Sequence, residues 1–214
     1  MDLIPASNVF DKIIEPLNMK FGLELGVRRG EFTASLLERH PDLIMNAVDI
    51  WNSTVEGHDN DNNYNTFIQN LQDSKVNDRC RIYKMYFDEA INYIEDESLD
   101  FIFIDGTHTY NALKNDIFKW FNKVKDNGLI TGHDYHPLFD GGGMIRCVDE
   151  LIGLSVKLLN NGDSMEAQMG SVSSISDHIL NKCKGGIVCQ SSTCWFCRKQ
   201  DTLLYKDKLN ATSI

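Results

Sequence analysis

The chain has 214 residues, 42% of them hydrophobic and 24% charged, a composition that fits one globular domain with a full core. Its formal net charge is −10 with no long basic run, so a nucleic-acid backbone is a poor partner. No apolar run approaches the roughly 20 residues of a membrane helix, and MDLIPASNVFDKIIE lacks the basic stretch and apolar core of a secretory signal; a soluble, cytoplasmic protein with no membrane partner is expected.

Residues 1–19 read as an N-terminal helical segment. Strand-like runs then alternate with helix-like ones. FGLELGV (21–27), MNAVDIW (45–51), CRIYKMY (80–86), LDFIFID (99–105) and GLITGHD (128–134) are short and rich in β-branched or aromatic residues. Between them, GEFTASLLERH (30–40), NYNTFIQNLQDSK (63–75), FDEAINYIED (87–96) and YNALKNDIFKWFNKV (110–124) repeat apolar residues at helical spacing. Strand–helix alternation predicts a parallel sheet covered on both faces, and the nearly continuous apolar run DFIFID suits a strand buried on both sides. GGGMIRCVDELIG (141–153) reads as a glycine loop entering a helix. SVKLL (155–159) is a further strand candidate, followed by a polar stretch over 160–184. GGIVCQSSTCWFCRKQ reads as a hairpin turned at 190–193. No linker or repeat interrupts the chain, so 1–214 is expected to be a single domain, with a core over 20–152 and a variable segment plus hairpin over 153–205.

Six cysteines occupy positions 80, 147, 183, 189, 194 and 197. A structural zinc site and ordinary reduced thiols are the two readings of the C-terminal four. Reduced thiols are favoured, because Cys194 and Cys197 are an odd number apart on a strand and point to opposite faces, and no histidine pair completes a ligand set.

Ligands of open α/β sheets bind beyond the carboxyl ends of the strands. The first strand delivers Glu24, Gly26 and Gly30, spaced E-x-G-x-x-x-G. A dinucleotide fingerprint would begin with glycine where Glu24 stands, and no G-K-[ST] follows to make a P-loop. A carboxylate there is awkward beside a pyrophosphate and useful beside an ammonium group; tight packing alone is the plainer reading. Arg28 and Arg29 are then exposed bystanders. The second strand ends in Asp49-Ile50-Trp51, about 20 residues beyond the glycines, where an acid can accept hydrogen bonds from ribose hydroxyls and Ile50 and Trp51 can cover a purine. The fourth and fifth strands end in DGTHTY and GHDYH, bringing Asp105, His108, His133, Asp134 and His136 to one sheet edge. Such a cluster can hold a hard divalent cation on its oxygens and leave an imidazole as base. Helix capping by Asp105 is the plainer alternative.

LELGVRRG, VDIW, DFIFIDGTHTYNALKNDIFKWFNKVKDNGLITGHDY and GGGMIRCVDEL together resemble the class I S-adenosylmethionine-dependent methyltransferases, over about residues 20–152. The closest branch contains macrolide-sugar and other small-molecule O-methyltransferases. The resemblance implies a Rossmann-like, doubly wound, mostly parallel seven-stranded sheet with an antiparallel C-terminal hairpin. It also implies that Glu24, Gly26 and Gly30 lie along the methionine part of S-adenosylmethionine, with Asp49 on the ribose and Trp51 beside the adenine. Tyr86 and Phe87 would border the adenine from the other side, with Asp88 in reach of its amino group. It further implies a divalent metal, magnesium or manganese, at Asp105 and Asp134. The usual second oxygen ligand of the fifth strand is here His133, which opens the site to a softer metal or to none. His108 matches the general base of the sugar-modifying branch. The expected reaction is O-methylation of a sugar hydroxyl (on a glycan, glycoside or nucleotide sugar), with a catechol-like or other natural-product hydroxyl as the alternative acceptor. Relatives are often dimers, which implies a homodimer. A nicotinamide oxidoreductase is disfavoured by Glu24, and a non-catalytic nucleoside-binding module by the intact Asp–His set.

Overall fold

The computed structural model describes residues 5–51, 60–152, 187–189 and 193–205. The elements run α1 (Ala6–Ile14), β1 (Phe21–Leu25), α2 (Glu31–Arg39), β2 (Ile44–Asp49), α3 (Asn60–Asp73), β3 (Cys80–Lys84), α4 (Phe87–Ala90), β4 (Leu99–Ile104), α5 (Tyr110–Trp120), β5 (Val124–Gly132), α6 (Gly143–Ile152), β6 (Ile187–Cys189) and β7 (Cys194–Arg198). The strands form one seven-stranded sheet in the order β3-β2-β1-β4-β5-β7-β6. β1 to β5 pair in parallel, and β7 runs antiparallel to both β5 and β6. This is the doubly wound sheet with an inverted hairpin at its edge that the alternation predicts.

Both faces of the central strands are apolar, and the period of two sorts them. In β4, Phe101 and Phe103 join a cluster with Val9, Phe10, Leu36 and Phe67, while Ile102 and Ile104 join one with Leu113, Ile117, Trp120 and Val148. α1, α2 and α3 therefore cover one face, and α5 and α6 the other. β7 obeys the same rule: Cys194 and Phe196 join the first cluster, whereas Trp195 joins the second. Cys197 thus lies on the face opposite Cys194, as the odd spacing predicts, and both thiols are buried.

Boundaries shift where strain or a bulge intervenes. The predicted 87–96 helix is a short α-turn that tightens to a 3₁₀ turn over Ile91–Tyr93, and α5 ends in another over Phe121–Lys123. β5 begins earlier than expected, at Val124, because a bulge lets Leu99 pair with Val124 and Phe101 with Leu129. The strand expected over 155–159, the polar stretch 160–184 and all but Thr193 of the 190–193 turn lie outside the described residues.

Candidate functional site

The strand order reverses between β1 and β4, so their carboxyl ends open a crevice. Gly26 explains why the first turn needs glycine: its φ is +87°, and a Cβ there would stand 2.1 Å from the carbonyl oxygen of Asp105. The two strand ends all but touch, joined by the Asp105 N–H donating to the Leu25 carbonyl at 2.8 Å. Gly30 serves packing instead. Its φ is +71° and its missing Cβ leaves room for the Phe67 ring, whose Cδ2 would be 2.0 Å away. The side on which a Gly30 side chain would stand is thus filled by α3.

Glu24 is 3% exposed and its Oε2 accepts from the Thr33 hydroxyl at 2.5 Å. Burial raises its pKa well above the ordinary carboxylate value, against a smaller lowering by Thr33, and Asp105 and Asp49 add to the rise. No cation among the described residues pairs with it.

Asp49 does something the strand-end rule did not anticipate. Its Oδ2 accepts from the backbone N–H groups of Val27 and Arg28, both at 2.9 Å, and its Oδ1 from Trp51 N–H at 2.9 Å. The two amides of the glycine turn that a phosphate would need are therefore already committed to a carboxylate. Asp49 still borders the crevice, as does Ile50. Trp51 does not: it is 2% exposed, stacks on Phe67, and donates its indole N–H to the Arg28 carbonyl at 2.7 Å. With φ +40°, its backbone turns the ring behind the loop, so Ile50 rather than Trp51 presents an apolar surface to a ligand. Arg29 is no bystander, since its guanidinium Nε donates to Asn63 at 3.0 Å and its carbonyl accepts from Asn70, fastening the turn to α3.

β4 and β5 bring the Asp–His cluster together. His108 Nε2 lies 2.9 Å from Asp134 Oδ2 and 3.5 Å from Asp105 Oδ1. His133 Nδ1 lies 3.0 Å from Asp134 Oδ1 and 3.8 Å from Asp105 Oδ1. Two carboxylates thus sit between two imidazoles. Asp134 occupies left-handed backbone, φ +57°, a strain of the kind that functional sites hold. Hydrogen bonds donated by His108 to the Asp105 and Asp134 carboxylates push its pKa up to about 10, which favours the imidazolium at neutral pH. Asp134 is held well below the usual carboxylate range by hydrogen bonds from His108 and His133, which outweigh the opposing effect of its burial. Among the described residues, the trio able to offer one ligand atom each within 4.8 Å of one another is Asp105, His108 and Asp134. The structure therefore brings His108, expected as a base, into ligand range, and sets His133 beside Asp134 instead. Asp105 does not cap α5; Thr109 does, its hydroxyl accepting from Ala112 N–H at 3.3 Å. His136 turns into its own loop, Nδ1 accepting from Leu138 N–H.

All of these strand ends open into one cavity of about 1460 Å³, lined also by Ser7, Phe32, Tyr86, Phe87, Asp116 and Phe139. That exceeds the ~300–1,000 Å³ of a single-ligand pocket and leaves room for two molecules. Tyr86 and Phe87 line the cavity, Tyr86 60% exposed and the Phe87 ring against Gly106. Asp88 is taken up by Lys119, whose Nζ is 2.7 Å from both of its oxygens. Asp116 was missed. Its signal was visible, a lone acid inside the apolar stripe of Leu113, Ile117 and Trp120.

A model of the methyltransferase domain matches residues 23–135, just over half of the chain, from the first strand to the second Asp–His pair. The chain belongs to the methyltransferase-domain family. A curated relative, the uncharacterised protein y4gI of Sinorhizobium fredii, is 31% identical over 78 residues. That match spans 36% of this methyltransferase-domain chain and only 9% of the relative's length. Among solved structures, the fold is similar to the O-methyltransferase TomG of Streptomyces achromogenes, involved in tomaymycin synthesis and solved with S-adenosylmethionine (TM-score 0.54, 14% identity, 71% of this chain and 70% of that one). It is similar too to a candidate caffeoyl-CoA O-methyltransferase of Staphylococcus aureus (TM-score 0.55, 15% identity, 89% and 80% covered). At these identities the likeness is one of fold.

Proposed function

We propose that this chain is an S-adenosylmethionine-dependent O-methyltransferase acting on a sugar hydroxyl, with a divalent cation assisting. One observation carries the reading: Glu24, a buried carboxyl with no cation beside it among the described residues, opens into the same cavity as Asp105, His108 and Asp134. A ligand ammonium would supply the charge that burial denies Glu24, and Asp49 retains an acceptor lone pair for a ribose hydroxyl beside it. The family match and the occupied turn amides agree with a cofactor that presents no phosphate.

When bound, S-adenosylmethionine supplies an electrophilic methyl group. The remaining work is the chain's own. Glu24 and Asp49 fix one reactant along β1 and β2, and the cluster at β4 and β5 receives the acceptor, so the two meet in line inside one cavity. The acceptor hydroxyl must lose a proton, and His108 Nε2 is placed to take it once the two carboxylates no longer hold it as an imidazolium. The carboxylates of Asp105 and Asp134, with an imidazole beside them, fit magnesium or manganese, which would supply Lewis acidity to the acceptor oxygen and draw off the charge that protonates His108. General-base catalysis of this kind contributes about 10²–10⁴-fold.

Calorimetry with S-adenosylmethionine, S-adenosylhomocysteine and NAD tests the cofactor: the first two bind and NAD does not. Methyl transfer is then assayed against nucleotide sugars, glycosides and catechols, with manganese or magnesium and with EDTA. Turnover of catechols alone would remove the sugar assignment, and NAD binding alone would remove the reaction.

A further inference from the structure

Neither Tyr135 nor Asp149 lines the cavity, yet the two are joined behind its wall. The Tyr135 hydroxyl donates to Asp149 Oδ1 at 2.7 Å, and the residues are only 7% and 6% exposed. Asp149 belongs to α6, whose Met144, Cys147, Val148 and Leu151 share one core cluster with Tyr135. No cation among the described residues pairs with it. A buried carboxylate is a costly filler for such a place, because an apolar pair of the same shape would pack there with no charge to desolvate. Space-filling therefore does not account for the pair.

What the pair holds is backbone. Tyr135 directly follows Asp134, whose φ of +57° is left-handed and persists only where its surroundings leave no alternative. On one side of Asp134, the His133 N–H donates to the Ile104 carbonyl at 3.1 Å and ties the strand end to β4. On the other, the Tyr135 N–H donates to the Thr193 carbonyl at 3.0 Å, just before β7, while its hydroxyl reaches α6. Tyr135 is thus fixed at both its amide and its phenol tip. The Asp134 carboxylate between these ties falls 2.9 Å from His108 Nε2 and 3.0 Å from His133 Nδ1. We propose that Asp149, acting through Tyr135, is a positioning residue that holds the Asp134 carboxylate in the site. α6 then serves the reaction without touching either reactant. The inference rests on the metal-assisted reading above, in which Asp134 is a ligand. Outer partners that orient a metal ligand typically carry about 10–100-fold in metal affinity.

The test compares wild type with Asp149→Asn, Tyr135→Phe and the double variant Tyr135→Phe/Asp149→Leu. Manganese alone is titrated by electron paramagnetic resonance, S-adenosylhomocysteine by calorimetry, and methyl transfer is assayed alongside. The double variant removes both polar partners at once, so its urea midpoint should stay near that of wild type. Its manganese affinity should nonetheless fall at least about tenfold and kcat with it, while S-adenosylhomocysteine binds within about twofold of wild type. Asp149→Asn keeps an acceptor for the Tyr135 hydroxyl and should bind manganese within about threefold of wild type. A folded double variant with wild-type manganese affinity and kcat sinks the inference and leaves the metal reading standing. An Asn variant as impaired as the double counts against it equally. Wild type that binds no manganese removes the metal reading and the inference with it. Should the double variant not fold, Tyr135→Phe decides, and undiminished manganese affinity there refutes the role.

Discussion

Replacing Gly26 with alanine would put a methyl group 2.1 Å from the carbonyl oxygen of Asp105 and 2.6 Å from its carbonyl carbon. Both atoms are backbone, so no rotamer change relieves the contact. The chain can yield only by parting β1 from β4, which stretches the Asp105 N–H to Leu25 carbonyl bond at the point where the site is assembled. The φ of +87° at Gly26 adds the penalty that an L side chain incurs in left-handed backbone, about 1 kcal/mol. Overpacking of a tight contact costs about 1–3 kcal/mol more, so Gly26→Ala should lose about 2–4 kcal/mol. Urea unfolding with linear extrapolation reads this directly, and calorimetry with S-adenosylhomocysteine should show at least about tenfold weaker binding, because Asp105 moves with its backbone. Gly30→Ala is the internal comparison. Its new methyl would meet the Phe67 ring rather than backbone, so stability falls while the Asp105 geometry and ligand affinity change less. Gly26→Ala within about 0.5 kcal/mol of wild type would refute the close approach of the two strand ends.

Glu24→Gln removes an acid whose ionisation the fold opposes and no cation among the described residues offsets, so it should raise stability at pH 7 and above while weakening S-adenosylmethionine at least about tenfold; unchanged affinity would take the ammonium contact away from Glu24. Asp116 binds its proton more tightly folded, at about 6, than at its ordinary 3.8, so ionisation works against the fold as pH rises through 6. That gap is worth up to about 3 kcal/mol, so Asp116→Asn should gain little at pH 4 and up to this amount by pH 7.5 in thermal melts; a gain independent of pH refutes the burial argument. His108 has the opposite consequence, since its charged form is the one the fold favours: the stabilisation is complete below pH 6.5 and is lost as pH rises through about 10, and imidazole NMR of the metal-free protein should show it protonated through neutral pH. His108→Ala should cost about 10²–10⁴-fold in turnover. Retained manganese affinity in that variant assigns His108 as the base, whereas joint loss of metal and turnover makes it a ligand.

The layer arrangement and the strand ends that line the cavity were legible before any tertiary contact was known. Alternation of short apolar strands with amphipathic helices implies a doubly wound sheet, and such a sheet opens its ligand site at the strand carboxyl ends, which is where Glu24, Asp49, Asp105 and Asp134 stand. Periodicity reports which face a residue occupies but not what lies across from it. For that reason the surroundings of Trp51, Asp88 and the two histidines were fixed only by packing: left-handed backbone turned Trp51 behind the loop, Lys119 captured Asp88, and the spacing of β4 and β5 brought His108 beside the two carboxylates. Asp116 shows the same division. Its place in an apolar stripe is a one-dimensional fact, whereas its lack of a partner among the described residues depends on Lys119 lying one turn away and reaching for a different acid.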